Sequence, residues 1–182
     1  MTHGPVPEVP SDRPVHITRP EVEARIGALG KEISRDYADG RLVVAAVLRG
    51  AVYFAVDLTR RLSVPFTLDF LAISRFGGTA RPHGVVRITK DLDENIYGRD
   101  VLLLEDIVDT GLSLSYLLRT LAAREPASLK VCTLLDAPGR RIVDVPVEYV
   151  GFRIPDQFVV GWGLDAGQSH RGEMAIRAVQ PE

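Results

Sequence analysis

The chain has 182 residues, 46% of them hydrophobic and 25% charged, with a formal net charge of −2. That length suits one domain with a sizeable core, and the near-neutral balance offers no electrostatic footprint for nucleic acid or a membrane surface. A single cysteine, Cys132, excludes an internal disulfide and any multi-cysteine metal site; set in the apolar run LKVCTLL, it reads as a small core residue.

The first residues, MTHGPVPEVPSDRP, lack the basic start and apolar run of a signal peptide, and no stretch approaches the roughly 18 apolar residues of a bilayer span, so a cytoplasmic protein is expected. Five prolines in the first twenty residues make 1–17 an extended, partly disordered arm, with a single domain over 18–182. Thr18-Arg19-Pro20-Glu21 spells a capping box, and Val22, Ile26, Leu29, Ile33 and Tyr37 recur at helical spacing before Gly40, which predicts an amphipathic helix. LVVAAVL (42–48), a helix around 51–62 and FTLDFLAI (66–73) follow in the strand, crossover helix, strand rhythm of a parallel sheet. The glycine-rich stretch 77–84 breaks that rhythm and reads as a mobile loop able to close over a ligand. Beyond it come strands at 85–89 and 101–105, a helix at 113–124, a strand at 129–135, and a tail of short strands and turns. No internal repeat is present.

Residues 101–113, VLLLEDIVDTGLS, carry the strongest functional signal. Val101 to Leu104 form a continuous apolar run, as in a strand buried on both faces, and Glu105 and Asp106 mark its carboxyl end. Ligands of open α/β sheets bind outside those ends, so acidic side chains there face a crevice rather than the core. Asp109-Thr110-Gly111-Leu112-Ser113 then turns tightly into the helix that begins the spacing Leu114, Leu117, Leu118, Leu121. Unpaired N–H groups at a helix start, with the Thr110 and Ser113 hydroxyls, suit a phosphate. Carboxylates beside a phosphate cradle suit sugar hydroxyls or a Mg2+ that travels with the polyanion. Neither a P-loop nor a dinucleotide glycine fingerprint is present.

This motif resembles the phosphoribosyl diphosphate (PRPP) site of type I phosphoribosyltransferases, and EDIVDTG is most similar to their hypoxanthine-guanine branch. The resemblance spans roughly residues 15–178. It implies an α/β fold with a mostly parallel central sheet flanked by helices (core about 40–150), a small hood from about 151–182, and a flexible loop. It also implies transfer of 5-phosphoribosyl from PRPP to hypoxanthine or guanine, giving IMP or GMP and pyrophosphate, with Mg2+ as cofactor and a homodimer or homotetramer as the assembly.

Carried over residue by residue, Glu105 and Asp106 hold the ribose, Asp109 is the general base, and Thr110, Gly111, Leu112 and Ser113 hold the 5-phosphate. Leu48, Arg49 and Gly50 form the pyrophosphate loop, whose Leu48–Arg49 peptide bond can be cis in the family, and Arg171 is a second pyrophosphate contact. In the segment IPDQFVVGWGLD, Phe158 stacks on the purine, Val159 meets its edge, and Asp165, with Glu105 and Asp106, is a metal ligand. No histidine, His170 included, is assigned to metal or acid/base work.

The pattern breaks at three places. Ala137 stands where the family has the lysine that bonds the purine 6-oxygen, Arg75-Phe76 replace a Ser-Tyr pair, and Ala166 replaces an aromatic. Arg140 or a backbone group is the candidate substitute for the missing lysine. These departures keep alternatives in view: a PRPP- or nucleotide-binding paralogue with a regulatory role or another heterocycle, and an RNA-binding pyrimidine regulator of the same fold, which would want a basic face that the composition lacks.

Overall fold

The computed structural model describes residues 5–38, 42–76 and 85–180, apart from the side chains of Arg75, Phe76 and Val85. The glycine-rich loop 77–84 and the Arg75-Phe76 side chains singled out above therefore lie outside the described residues.

Six strands form the central sheet: β2 Leu42–Leu48, β3 Phe66–Phe76, β4 Val85–Lys90, β5 Asp100–Val108, β6 Ser128–Asp136 and β7 Tyr149–Arg153. Their order is β4-β3-β2-β5-β6-β7, all neighbours parallel except the antiparallel β3 and β4. The apolar runs are continuous because both faces are covered. Leu42, Val44, Ala46, Leu102 and Leu104 pack with α1 (Arg19–Asp36) and α2 (Ala51–Thr59), while Val43, Ala45, Val101 and Leu103 pack with α3 (Leu112–Ala122). Leu102, Leu103 and Leu104 have no exposed surface, and burial of each contributes about 1.5–3 kcal/mol.

Local chemistry sets the element ends. The Thr18 backbone N–H and hydroxyl both donate to the Glu21 carboxylate, at 2.8 and 2.5 Å, which starts α1 as the capping box predicts. Arg25 on the buried face of α1 donates to the carbonyls of Val150 and Gly151, fastening the helix to β7. Helix α2 stops at Thr59, three residues short of the expected end, where Arg61 and Leu62 N–H groups tighten onto the carbonyls of Leu58 and Thr59 ahead of Pro65. Strand β5 runs three residues beyond Glu105, because Ile107 and Val108 continue the ladder opposite Leu135 and Asp136. The acidic pair thus lies within the strand, and the turn begins only at Asp109.

A second sheet, order β1-β9-β8, lies beside the first; its strands are β1 His16–Ile17, β8 Val159–Val160 and β9 Ile176–Ala178. It draws on both ends of the chain. Residues 5–17, expected to be partly disordered, are ordered around a turn at 11–13 and bonded to the domain: Val9 N–H to Arg153 O, Arg153 N–H to Pro7 O, and Ala178 N–H to Val15 O. Among the described residues no helix is long and apolar enough to cross a membrane.

Candidate active site

The ends of β2 and β5 and the start of α3 frame a cleft of about 310 Å³, lined by residues that include Arg49, Gly50, Glu105, Asp106, Asp109, Gly111, Ser113, Asp165 and Arg171. On the β2 side the Leu48–Arg49 peptide bond is cis. Gly50 lies so close to Asp106 that a β-carbon there would land on its carboxylate, and Gly163 is held equally tightly against the Gly50 carbonyl. Three segments distant in sequence therefore converge, the Gly50 backbone against the Asp106 side chain and Gly163 against the Gly50 carbonyl, with no room for a β-carbon at either glycine.

On the β5 side, Gly111 adopts a left-handed conformation (φ 79°), and a β-carbon there would strike the Val143 carbonyl. This turn starts α3, and Ser113 in its first turn is buried at the cleft wall. The Thr110 carbonyl accepts from the N–H groups of Ile142 and Val143 (2.9 and 3.0 Å), and its hydroxyl approaches Asp109 at 3.4 Å. Thr110 and Leu112 frame the turn, although the cleft-lining contacts come from their neighbours.

Asp106 has its carboxyl buried between the two strand ends. Burial pushes its carboxyl up to about 6, opposed by the Ile107 N–H at 2.8 Å and the Arg171 charge and reinforced by Asp165. Arg171 donates to the Gly163 carbonyl (2.6 Å) and pairs with Asp165 (2.7 Å). Gln168 ties this corner together: its side-chain carbonyl accepts from both Arg49 (3.1 Å) and Arg171 (3.2 Å), and its N–H donates to Asp165 (2.8 Å). A neutral acceptor shared by two guanidiniums offsets their mutual repulsion and holds both at the cleft. Sequence reading missed Gln168, whose only signal was its place between Asp165 and Arg171.

A second cleft of about 220 Å³ is lined by Arg140, Gln157, Phe158, Val159 and Leu164, together with Asp106, Ile107, Asp109 and Asp165. The last four line both clefts, so the two compartments meet at a wall that contains Asp109. Phe158 and Val159 are thereby brought to the acidic group from fifty residues away. Ala137 behaves otherwise: it is fully buried, with its N–H on the Val108 carbonyl (3.0 Å), and the cation at this cleft is Arg140, on the 3₁₀ turn Pro138–Arg140. Arg140 pairs with Asp156 at 2.5 Å, a half-exposed contact readily exchanged for a ligand. Its neighbour Arg141 instead serves the frame, bonded to Asp136 and the Val108 carbonyl.

Among the described residues no group of three His, Cys, Asp or Glu side chains is placed to cage a metal. Asp165, Asp106 and Glu105 offer hard oxygen donors one or two at a time, a set that suits Mg2+ completed by substrate phosphate oxygens and water.

Residues 16–167 match the phosphoribosyl transferase domain family. The chain belongs to that family, in its hypoxanthine-guanine branch. It is 47% identical over 173 residues to the hypoxanthine-guanine phosphoribosyltransferase of Mycobacterium avium, covering 92% of this chain and 85% of that one. It is 49% identical over 159 residues to the hypoxanthine phosphoribosyltransferase of Salmonella typhimurium, covering 86% and 89%. The crystal structure of a hypoxanthine-guanine phosphoribosyltransferase from Bacillus anthracis superposes with a TM-score of 0.83 at 40% identity, over 90% of this chain and 96% of that one. This phosphoribosyltransferase thus presents two adjoining compartments, the β2–β5 cleft and the Phe158 cleft, with Asp109 in the wall between them.

Proposed function

We propose that this phosphoribosyltransferase moves the 5-phosphoribosyl group of PRPP onto N9 of hypoxanthine or guanine, yielding IMP or GMP and pyrophosphate in cytoplasmic purine salvage. The observation that carries this reading is the shared wall: a phosphate-type cleft and an aromatic cleft open onto the same Asp109. Thr110, Gly111, Leu112 and Ser113 anchor the 5-phosphate, turning remote binding energy into alignment of C1 of the ribose with the base. Glu105 and Asp106 hold the ribose hydroxyls. As the N9–C1 bond forms and the bond from C1 to pyrophosphate oxygen breaks, Asp109 takes the proton from N7 of the purine. Arg49 and Arg171, with Leu48 and Gly50 shaping the loop, hold the departing pyrophosphate. Mg2+, bound through Asp165 with Glu105 and Asp106 nearby, would neutralise charge on that leaving group.

On the base side Phe158 stacks on the ring, Val159 supplies backbone groups to its edge, and Arg140 donates to the exocyclic 6-oxygen in place of the lysine absent at Ala137. Self-association into a dimer or tetramer belongs to the same reading. A binding paralogue without chemistry has less support, since the relatives named as transferases align over most of their length. The test is pyrophosphate release with PRPP, Mg2+ and, in turn, hypoxanthine, guanine, xanthine and adenine. Release with either of the first two supports the reading, and silence with all four overturns it.

A further inference from the structure

The base-side segment is not part of the central sheet. Among the described residues Val159 and Val160 pair with β9, which pairs in turn with β1, so the strand that follows Phe158 belongs to a three-stranded sheet whose far edge is the N-terminal arm. Small sheets of this kind are marginal alone and depend on what covers them. Val15 and Ile17 of the arm are almost fully buried, and the Val15 carbonyl accepts from Ala178 N–H at 2.8 Å.

The arm also grips the base segment directly. The Val15 N–H donates to the Gln157 side-chain carbonyl at 2.8 Å, and the Gln157 amide donates to the Arg13 carbonyl at 3.1 Å. The two bonds use both ends of one side chain and span more than 140 residues of sequence. Gln157 lines the base-side cleft and precedes Phe158, whose carbonyl is held by Val179 N–H at 2.9 Å. Further out, Pro7 and Val9 bond to Arg153 on β7, so the arm is tied to the central sheet at one end and to the small sheet at the other.

We infer that the N-terminal arm is a working part of the base site, and that Gln157 is a positioning residue through which it sets Phe158 and Val159 for the purine. This rests on the reading of the Phe158 cleft as the base side. Gln157 reaches no reacting atom. Its two bonds to the arm remove freedom from the segment before the base arrives, so the ordering is not charged against purine binding. PRPP, held by the β2 and β5 turns, is outside its influence.

Three proteins test this: Gln157→Met, a chain lacking residues 1–13, and the two changes combined, each assayed for initial rates with PRPP and hypoxanthine. Gln157→Met should raise the KM for hypoxanthine about three- to tenfold, with kcat and the KM for PRPP within about twofold. Truncation should do the same, and the combination should exceed the larger single effect only slightly, because both act through one linkage. Amide exchange should quicken at residues 158–160 in each variant and stay unchanged at 101–104, a readout that needs no activity. An unchanged hypoxanthine KM in Gln157→Met, multiplying effects in the combined protein, or unchanged exchange at 158–160 overturns the inference; if the truncated chain does not fold, Gln157→Met decides alone. A wild-type protein silent with every base sinks the underlying reading instead, and the exchange data then still judge the linkage.

Discussion

The phosphate-side cleft is built from backbone turns at the ends of two parallel strands, whereas the base-side cleft is assembled from side chains of distant segments: Arg140 from a 3₁₀ turn, Phe158 and Val159 from the small sheet, and Gln157 held by the arm. On the first side close glycine contacts leave almost no room for change, since Gly50, Gly111 and Gly163 each meet a neighbouring carboxylate or carbonyl. On the second side the holding contacts include a half-exposed ion pair and two hydrogen bonds of one side-chain amide. Under the proposed assignment, such a difference would let one scaffold keep one substrate while changing the other. Alteration on the phosphate side damages the frame, and alteration on the base side shifts affinity by degrees.

Changes at the shared wall should have the largest effect. Asp109→Asn removes the proposed base while keeping the shape, so kcat should fall about a hundredfold or more with PRPP affinity within a few-fold; rapid-quench turnover and PRPP titration measure the two, and undiminished turnover would break the assignment. Next comes Arg171→Ala, which takes a charge-assisted donor from the phosphate side and should raise the KM for PRPP about ten- to a hundredfold with little change for hypoxanthine.

Asp106 gives an effect in stability of the opposite sign from its effect on binding. Its carboxyl is raised to about 6 by burial, so it binds more protons folded than unfolded between pH about 4 and about 6. The stability it contributes is fully present below that window and is lost as pH rises through about 6. Asp106→Asn should therefore stabilise the ligand-free protein at pH 8 by on the order of 3 kcal/mol, with the gain vanishing near pH 4, while PRPP affinity drops. Thermal melts at the two pH values check this, and an equal gain at both would contradict it. The smallest change is expected from Gln168→Ala, which frees Arg49 and Arg171 from their shared acceptor and should raise the KM for PRPP about two- to fivefold.

The two clefts also differ in how readable they are. VLLLEDIVDTGLS announces a strand, a turn and a helix start because all three are local, and the fold follows from alternating apolar runs that each need both faces covered. Even there the strand end was misplaced by three residues, since the pairing of Ile107 and Val108 with β6 is set by tertiary contact. The base side was legible only as a resemblance. Nothing local to Gln157 says that an arm more than 140 residues away will bond to it, and nothing in five prolines says that the arm will add a strand rather than remain loose. The exchange of a family lysine for Ala137 was visible, but the place of Arg140 at the same cleft depended on the geometry of the turn between them.

The two half-sites are separately built and meet at Asp109. Paired measurement of the Michaelis constants for PRPP and hypoxanthine on Gly50→Ala and Arg140→Met tests this most directly. Gly50→Ala, which drives a β-carbon into Asp106, should raise the PRPP constant tenfold or more, at about 1.4 kcal/mol per tenfold, and leave hypoxanthine nearly unchanged. Arg140→Met should do the reverse, raising the hypoxanthine constant about tenfold and sparing PRPP. If both constants rise together in each variant, the clefts are one site and the division drawn here is wrong.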